Sequence, residues 1–135
     1  MNLVSIKQLE QRKYLQLCMS GSDPPIYITI ERNRYDPLIK TTVYELEIGI
    51  QIDSESVSVN KVITRYSVLR KFHKKCKANS KDEDFPIFPP KRFVLSNDPK
   101  FISKRENDLK TYFEQITQVK NMNQISIIKC FFNLK

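Results

Sequence analysis

The sequence predicts an α+β domain, a three-stranded antiparallel sheet packed on helices. Three observations carry that prediction. Apolar residues alternate with period two through 43–52, with β-rich stretches on either side. After residue 65 they recur at helical spacing instead. A chain of 135 residues, 40% hydrophobic and 28% charged, can bury one ordinary core without staples.

Taken in order, the first 23 residues are an arm or extension ahead of a domain spanning 24–135. Their opening, "MNLVSIKQLEQRKYLQLC", reads as a frayed helix or an arm, and its charges exclude a signal peptide. "PIYITIER" (25–32) is rich in β-formers. In "VYELEIGIQI" (43–52), Tyr44, Leu46, Ile48, Ile50 and Ile52 fall on one face of a strand. "DSES" (53–56) suits a hairpin turn, and "VSVNKVIT" (57–64) makes a third strand. The period then changes: Val68, Leu69, Phe72 and Cys76 share a helix face, with Ser67 placed to cap its start. After a linker, "NDPKFISKRENDLKTYFEQI" offers Asp98 as a cap and Pro99 at the first helical position. Ile102, Leu109, Tyr112, Phe113 and Ile116 form its apolar stripe. A last short helix is expected around 124–134.

Composition narrows the function. Cys18, Cys76 and Cys130 are far apart and odd in number, which fits a reducing, cytosolic compartment better than a disulfide framework. One histidine, His73, and no Cys-x-x-Cys leave no metal-ligand spacing; His73 among lysines reads as a solvated surface residue. Gly21 and Gly49 are the only glycines, so no Gly-rich phosphate loop exists. Asp82, Glu83 and Asp84 read as a solvated run. No catalytic set or cofactor site emerges, and an enzyme is not expected. No apolar run is long enough to span a bilayer.

The charge is segregated. Residues 61–105 hold 13 Lys/Arg against 4 Asp/Glu, a net of +9, while the other 90 residues net −1. Such a segment either solubilises the surface or meets an anionic partner, a membrane or a nucleic acid. Nucleic acid is disfavoured, because no recognition motif and no ladder of exposed aromatics is present.

"RYSVLRKFHKKC", then "PPK", then "DPKFISKRENDLKTYF" resemble, in order and spacing, the PX (phox homology) domain. The resemblance covers about residues 25–134. It implies a three-stranded antiparallel sheet packed against a helical subdomain with a proline-rich loop. It also implies a phosphoinositide ligand, most often phosphatidylinositol 3-phosphate, as in sorting nexins. By that resemblance Arg65 binds the 3-phosphate and Tyr66 lies under the inositol ring. Lys91 meets the phosphate joining inositol to glycerol, and Arg105 bonds the 4- and 5-hydroxyls. Thr64 departs from the pattern, since many members carry a second basic residue there. The loop bearing Phe93, Val94 and Leu95 matches the one PX domains insert into the membrane. The implied location is cytoplasmic and peripheral, on endosomal or vacuolar membranes.

The chemistry of these residues agrees. A guanidinium presents a rigid fork of donors to a phosphate, and tyrosine offers an apolar face with a polar tip. Lys71, Lys74, Lys75, Lys77 and Arg92 could add an accessory basic surface. Other readings stay open: Arg65 pairing with a carboxylate, Tyr66 as core, Arg105 pairing with Asp108, and Phe93–Leu95 as a packed strand. A second function is also open. "PIFPPK" (86–91) satisfies a Pro-x-x-Pro-x-Lys pattern through which a Src-homology-3 domain could bind.

Overall fold

The computed structural model describes residues 2–80, 85–91, 98–120 and 122–134. Its sheet has four strands rather than three: β1 (Asn2–Ser5), β2 (Ile26–Asp36), β3 (Thr41–Gln51) and β4 (Ser56–Arg65), in the order β1-β4-β3-β2. All neighbours are antiparallel. The meander β2–β4 is the one the sequence predicts. The added strand comes from the N-terminal residues, which pair from Asn2 opposite Val59 to Ser5 opposite Ser56. Four residues are too few to show a period, and their partners lie more than fifty positions away. A helix, α1 (Gln11–Met19), follows.

Alternation along the strands sends two sets of side chains to opposite faces. Ile26, Ile28, Ile30, Tyr44, Leu46, Ile48 and Ile50 are buried on the inner face. Ile52 lies past the end of β3 and is exposed. The helices α2 (Tyr66–Asn79), α3 (Pro99–Ile116) and α4 (Gln124–Phe131) cover the inner face. They contribute Leu69, Phe72 and Cys76, then Leu109, Tyr112, Phe113 and Ile116, then Ile127 and Ile128. α3 starts as its sequence requires, with Pro99 first and Asp98 accepting the Lys100 N–H at 3.0 Å. α2 starts earlier than a Ser67 cap allows. Arg65 is its flanking residue, and Ser67 sits inside the first turn without a capping bond.

The outer face buries Tyr27, Val57 and Val59 under Leu17 of α1. Tyr27 stands opposite Gly49, where a Cβ would run into its ring. The ring therefore lies across β3, and its hydroxyl donates to Glu47 at 2.6 Å. Lys13 of α1 meets the same carboxylate at 2.7 Å, Glu31 at 3.0 Å and Glu10 at 3.3 Å. Its side chain is only 8% exposed, so this ammonium depends on those carboxylates.

Burial pulls the Lys13 pKa down, but the bonds to Glu47 and Glu31 outweigh it and hold it above the ordinary 10.5. Burial raises Glu31, yet Lys13, Thr29 and Arg12 together hold it below the ordinary 4.5. The Glu31 contribution is present above pH 4.5 and fades as pH falls through the lowered folded value. The Lys13 contribution is present below pH 10.5 and fades as pH rises through the raised one. Lys13→Ala strands buried carboxylates and is expected to cost about 3 kcal/mol in urea unfolding. It should also flatten the acid side of the stability profile. A loss under about 1 kcal/mol would show that water replaces the ammonium.

Candidate functional site

β4 ends on Arg65 and α2 begins on Tyr66, so the two side chains leave a strand–helix junction in different directions. Tyr66 is half-buried, and its hydroxyl donates to the Pro89 carbonyl at 2.6 Å. Its ring centroid lies 5.4 Å from that of Phe88. The Arg105 guanidinium carbon sits 3.8 Å from the Tyr66 ring centroid and 4.4 Å from that of Phe101. Arg105 Nη2 also approaches the Pro90 carbonyl, at 3.4 Å. Lys91 follows directly and is exposed.

Tyr66, Arg105 and the segment ending in Lys91 are thus brought together. Beside them is a cleft of about 20 Å³ lined by Thr41, Thr42, Tyr44, Tyr66, Phe101 and Arg105. That is room for about one water. Arg65 lines a different and wider depression of about 410 Å³, with Ile39, Ile63, Phe131 and Phe132. It forms no ion pair among the described residues. Asp108 accepts from Lys104 at 2.8 Å. Lys71, Lys74, Lys75 and Lys77 are exposed along α2. Arg92, Phe93, Val94 and Leu95 lie outside the described residues.

Tyr66, Arg70, His73 and Lys77 recur at helical spacing on one face of α2. Burial pushes the Tyr66 hydroxyl pKa up, while the charges of Arg105 and Arg70 pull against it, and the balance stays above the ordinary value. Arg70 therefore belongs to the site's positive field. Its i,i+4 spacing from Tyr66 is a signal that sequence reading could have used. His73 is not a solvated surface residue. Its ring stacks on Phe88, with centroids 5.1 Å apart and planes at 17°, and Nδ1 lies 3.0 Å from the Tyr112 hydroxyl. Burial first, and then Lys77, pulls its pKa below the ordinary value. A single polar residue between lysines carries no local sign of this.

The proline segment is fastened down. Phe85 and Phe88 pack against the main core, and Pro89 is buried. A Src-homology-3 domain reading Pro86 and Pro89 would have to lift it away. At the turn between β2 and β3, Leu38 is 91% exposed and Ile39 45% exposed, next to the cleft residues Thr41 and Thr42.

Tyr66→Phe keeps the ring under Arg105 and deletes the bond to Pro89. We expect a stability loss of about 1 kcal/mol, with faster amide exchange in 85–91. Unchanged exchange there would mean that Phe88 alone holds the segment.

The PX domain family model matches residues 53–135. A designed CISK-PX domain is similar in fold, with a TM-score of 0.60 and 22% identity, over 78% of this chain and 96% of that one. The mouse SNX19 PX domain with bound sulphate ion aligns with a TM-score of 0.56 and 13% identity, over 82% of this chain and 97% of that one. No curated protein sequence matches.

Proposed function

The chain belongs to the PX domain family, and we propose that it binds phosphatidylinositol 3-phosphate and attaches peripherally to endosomal or vacuolar membranes. PX domains are generally non-catalytic phosphoinositide-binding modules. The observation that carries the finer reading is the meeting of Tyr66, Arg105 and the Pro89–Lys91 segment, with Arg65 at the adjoining position of the junction. In this reading Arg65 takes the 3-phosphate, Lys91 the bridging phosphodiester and Arg105 the free 4- and 5-hydroxyls. Arg70 adds positive charge beside Tyr66.

The geometry sets one condition. The Arg105 guanidinium covers the Tyr66 ring, and the cleft beside it holds about one water. An inositol ring resting on Tyr66 requires Arg105 to move outward. A cation–π contact at a partly exposed site is worth about 0.5–1 kcal/mol. Each charged hydrogen bond to the headgroup is worth about 1.5–3 kcal/mol, so the exchange favours the ligand.

Arg65→Ala should keep its folding transition and lose at least tenfold in affinity for liposomes carrying phosphatidylinositol 3-phosphate. In the same liposome panel that lipid should bind better than the 4,5-bisphosphate, whose phosphates replace the hydroxyls assigned to Arg105. Tight binding by folded Arg65→Ala would remove Arg65 from the site. Preference for the 4,5-lipid would move recognition to Lys71, Lys74, Lys75 and Lys77.

Attachment would add two apolar contacts. Leu38 and Ile39 are exposed at the β2–β3 turn, Ile39 lining the Arg65 depression, and Phe93, Val94 and Leu95 follow Lys91 and Arg92 in the chain. A fully buried apolar side chain contributes about 1.5–3 kcal/mol, and a basic residue at an anionic surface about 1 kcal/mol. The double variant Val94→Glu, Leu95→Glu should bind liposomes far more weakly, yet bind a soluble short-chain headgroup analogue almost normally. A parallel fall in both assays would make the triplet a structural element. No fall in either would keep it out of the membrane.

A further inference from the structure

The two edges of the sheet are finished differently. At the β2 edge, Gln16 Oε1 accepts the Ile28 N–H at 3.0 Å, Ser20 Oγ accepts the Ile26 N–H at 3.1 Å, and the register shifts between Ile30 and Arg32. Such devices stop other chains from adding to an edge. At the opposite edge β1 covers β4 only along Ser56–Val59. From Asn60 to Arg65, β4 pairs with β3 on one side. On its other side no described residue hydrogen-bonds to the backbone. An open strand edge presents unpaired N–H and C=O groups to any extended chain.

The 410 Å³ groove lies along this open half, lined by Val62, Ile63, Thr64, Val68, Phe131 and Phe132. Ile63 is 61% exposed. Thr64 is buried, at 8% exposure, and its Oγ1 has no hydrogen-bond partner among the described residues. Buried hydroxyls are normally satisfied, and here a backbone group of an occupying strand can supply the partner. Val62 faces the main core, and Val59 the outer cluster. By alternation Lys61, Ile63 and Arg65 point outward with Val59. Neither Lys61 nor Arg65 forms an ion pair among the described residues. Asp36 also lines the groove, but its Oδ1 accepts the Leu38 N–H at 2.9 Å.

These charges select the occupant. A second copy pairing antiparallel about Ile63 would set Lys61 opposite Arg65 twice, and like charges directly opposite destabilise a ladder. We infer that the open half of β4 docks an extended segment of a partner protein by strand addition. That segment is acidic opposite Lys61 and Arg65 and apolar opposite Val62, Ile63 and Thr64. Backbone bonds along the edge supply affinity, and the alternating side chains supply selectivity.

The probe is the capped peptide acetyl-Glu-Val-Val-Phe-Glu-amide, titrated into tag-free protein and followed by amide NMR. Shifts should concentrate on Asn60–Arg65 and the end of α4, and exchange at those amides should slow. Replacing both Glu by Lys, or N-methylating alternate peptide amides, should weaken binding at least tenfold. Ile63→Asp, at an exposed position, should lose the peptide and keep its thermal midpoint. Lys61→Glu should reverse the preference, taking the Lys peptide over the Glu peptide. The inference fails if the N-methylated peptide binds equally, or if no peptide binds up to about 1 mM. It also fails if the protein dimerises through this edge. Arg65 is common to this docking and to the proposed headgroup site, but Ile63 and Lys61 are not, so the Ile63→Asp and Lys61→Glu outcomes, set beside liposome binding by the same variants, tell the two readings apart.

Discussion

The bond from the Tyr66 hydroxyl to the Pro89 carbonyl is the contact on which the rest of the site depends. Its cause lies in proline chemistry. Pro86, Pro89 and Pro90 contribute carbonyl acceptors but no N–H donors, so the segment cannot satisfy itself by forming a ladder or a turn of helix. Its carbonyls need donors from elsewhere. Tyr66 at the start of α2 supplies one, and Arg105 on α3 approaches the next at longer range. One loop with surplus acceptors therefore draws two helices and the end of β4 to a common point. Phe88 completes the fastening. Its ring meets Tyr66 at 5.4 Å, His73 at 5.1 Å and Tyr112 at 5.0 Å. Breaking the site apart would mean exposing that aromatic layer to water.

This arrangement was legible in the sequence to the extent that it is local. Period-two alternation identified β3, whose inner face is buried along its length, while β-forming residues marked β2 and β4. Asp98 and Pro99 marked the start of α3, because caps act within one turn. Tyr66 and Arg105 were assigned to one site by resemblance, and they do meet. The placement of Arg65 in a separate groove was not legible. Side chains on consecutive residues at a strand–helix junction diverge, and adjacency in sequence gives no sign of it. His73 was hidden for the opposite reason: its neighbours in the chain are lysines, while its neighbours in space, Phe88 and Tyr112, come from distant segments.

The N-terminal layer was the least legible part. β1 is four residues long and α1 nine, so neither carries enough period to declare itself. Both are fixed by partners far along the chain: Val57 and Val59 for the strand, Tyr27, Glu31 and Glu47 for the helix. Gly49 is the indirect sign. A glycine in the middle of an otherwise well-patterned strand weakens it unless something occupies the space, and here the Tyr27 ring does. The outer face of the sheet is thereby committed to α1, which leaves the open half of β4 as the uncovered border.

The charge distribution follows from the same division. On the outer face Arg12 and Lys13 meet Glu10 and Glu31, Lys13 also meets Glu47, and Arg32 and Arg34 meet Glu45, while Lys61 and Arg65 form no ion pair among the described residues. Fields from such pairs cancel over a few ångströms. Along α2 no lysine or arginine has an ion-pair partner among the described residues. Exposed pairs contribute only about 0–1 kcal/mol each, so leaving these cations unpaired costs the fold little. Among the described residues their field is not cancelled, and it extends about 8 Å into solvent at physiological salt. Arg70 brings the nearest of these charges to bear on Tyr66, at the strand–helix junction.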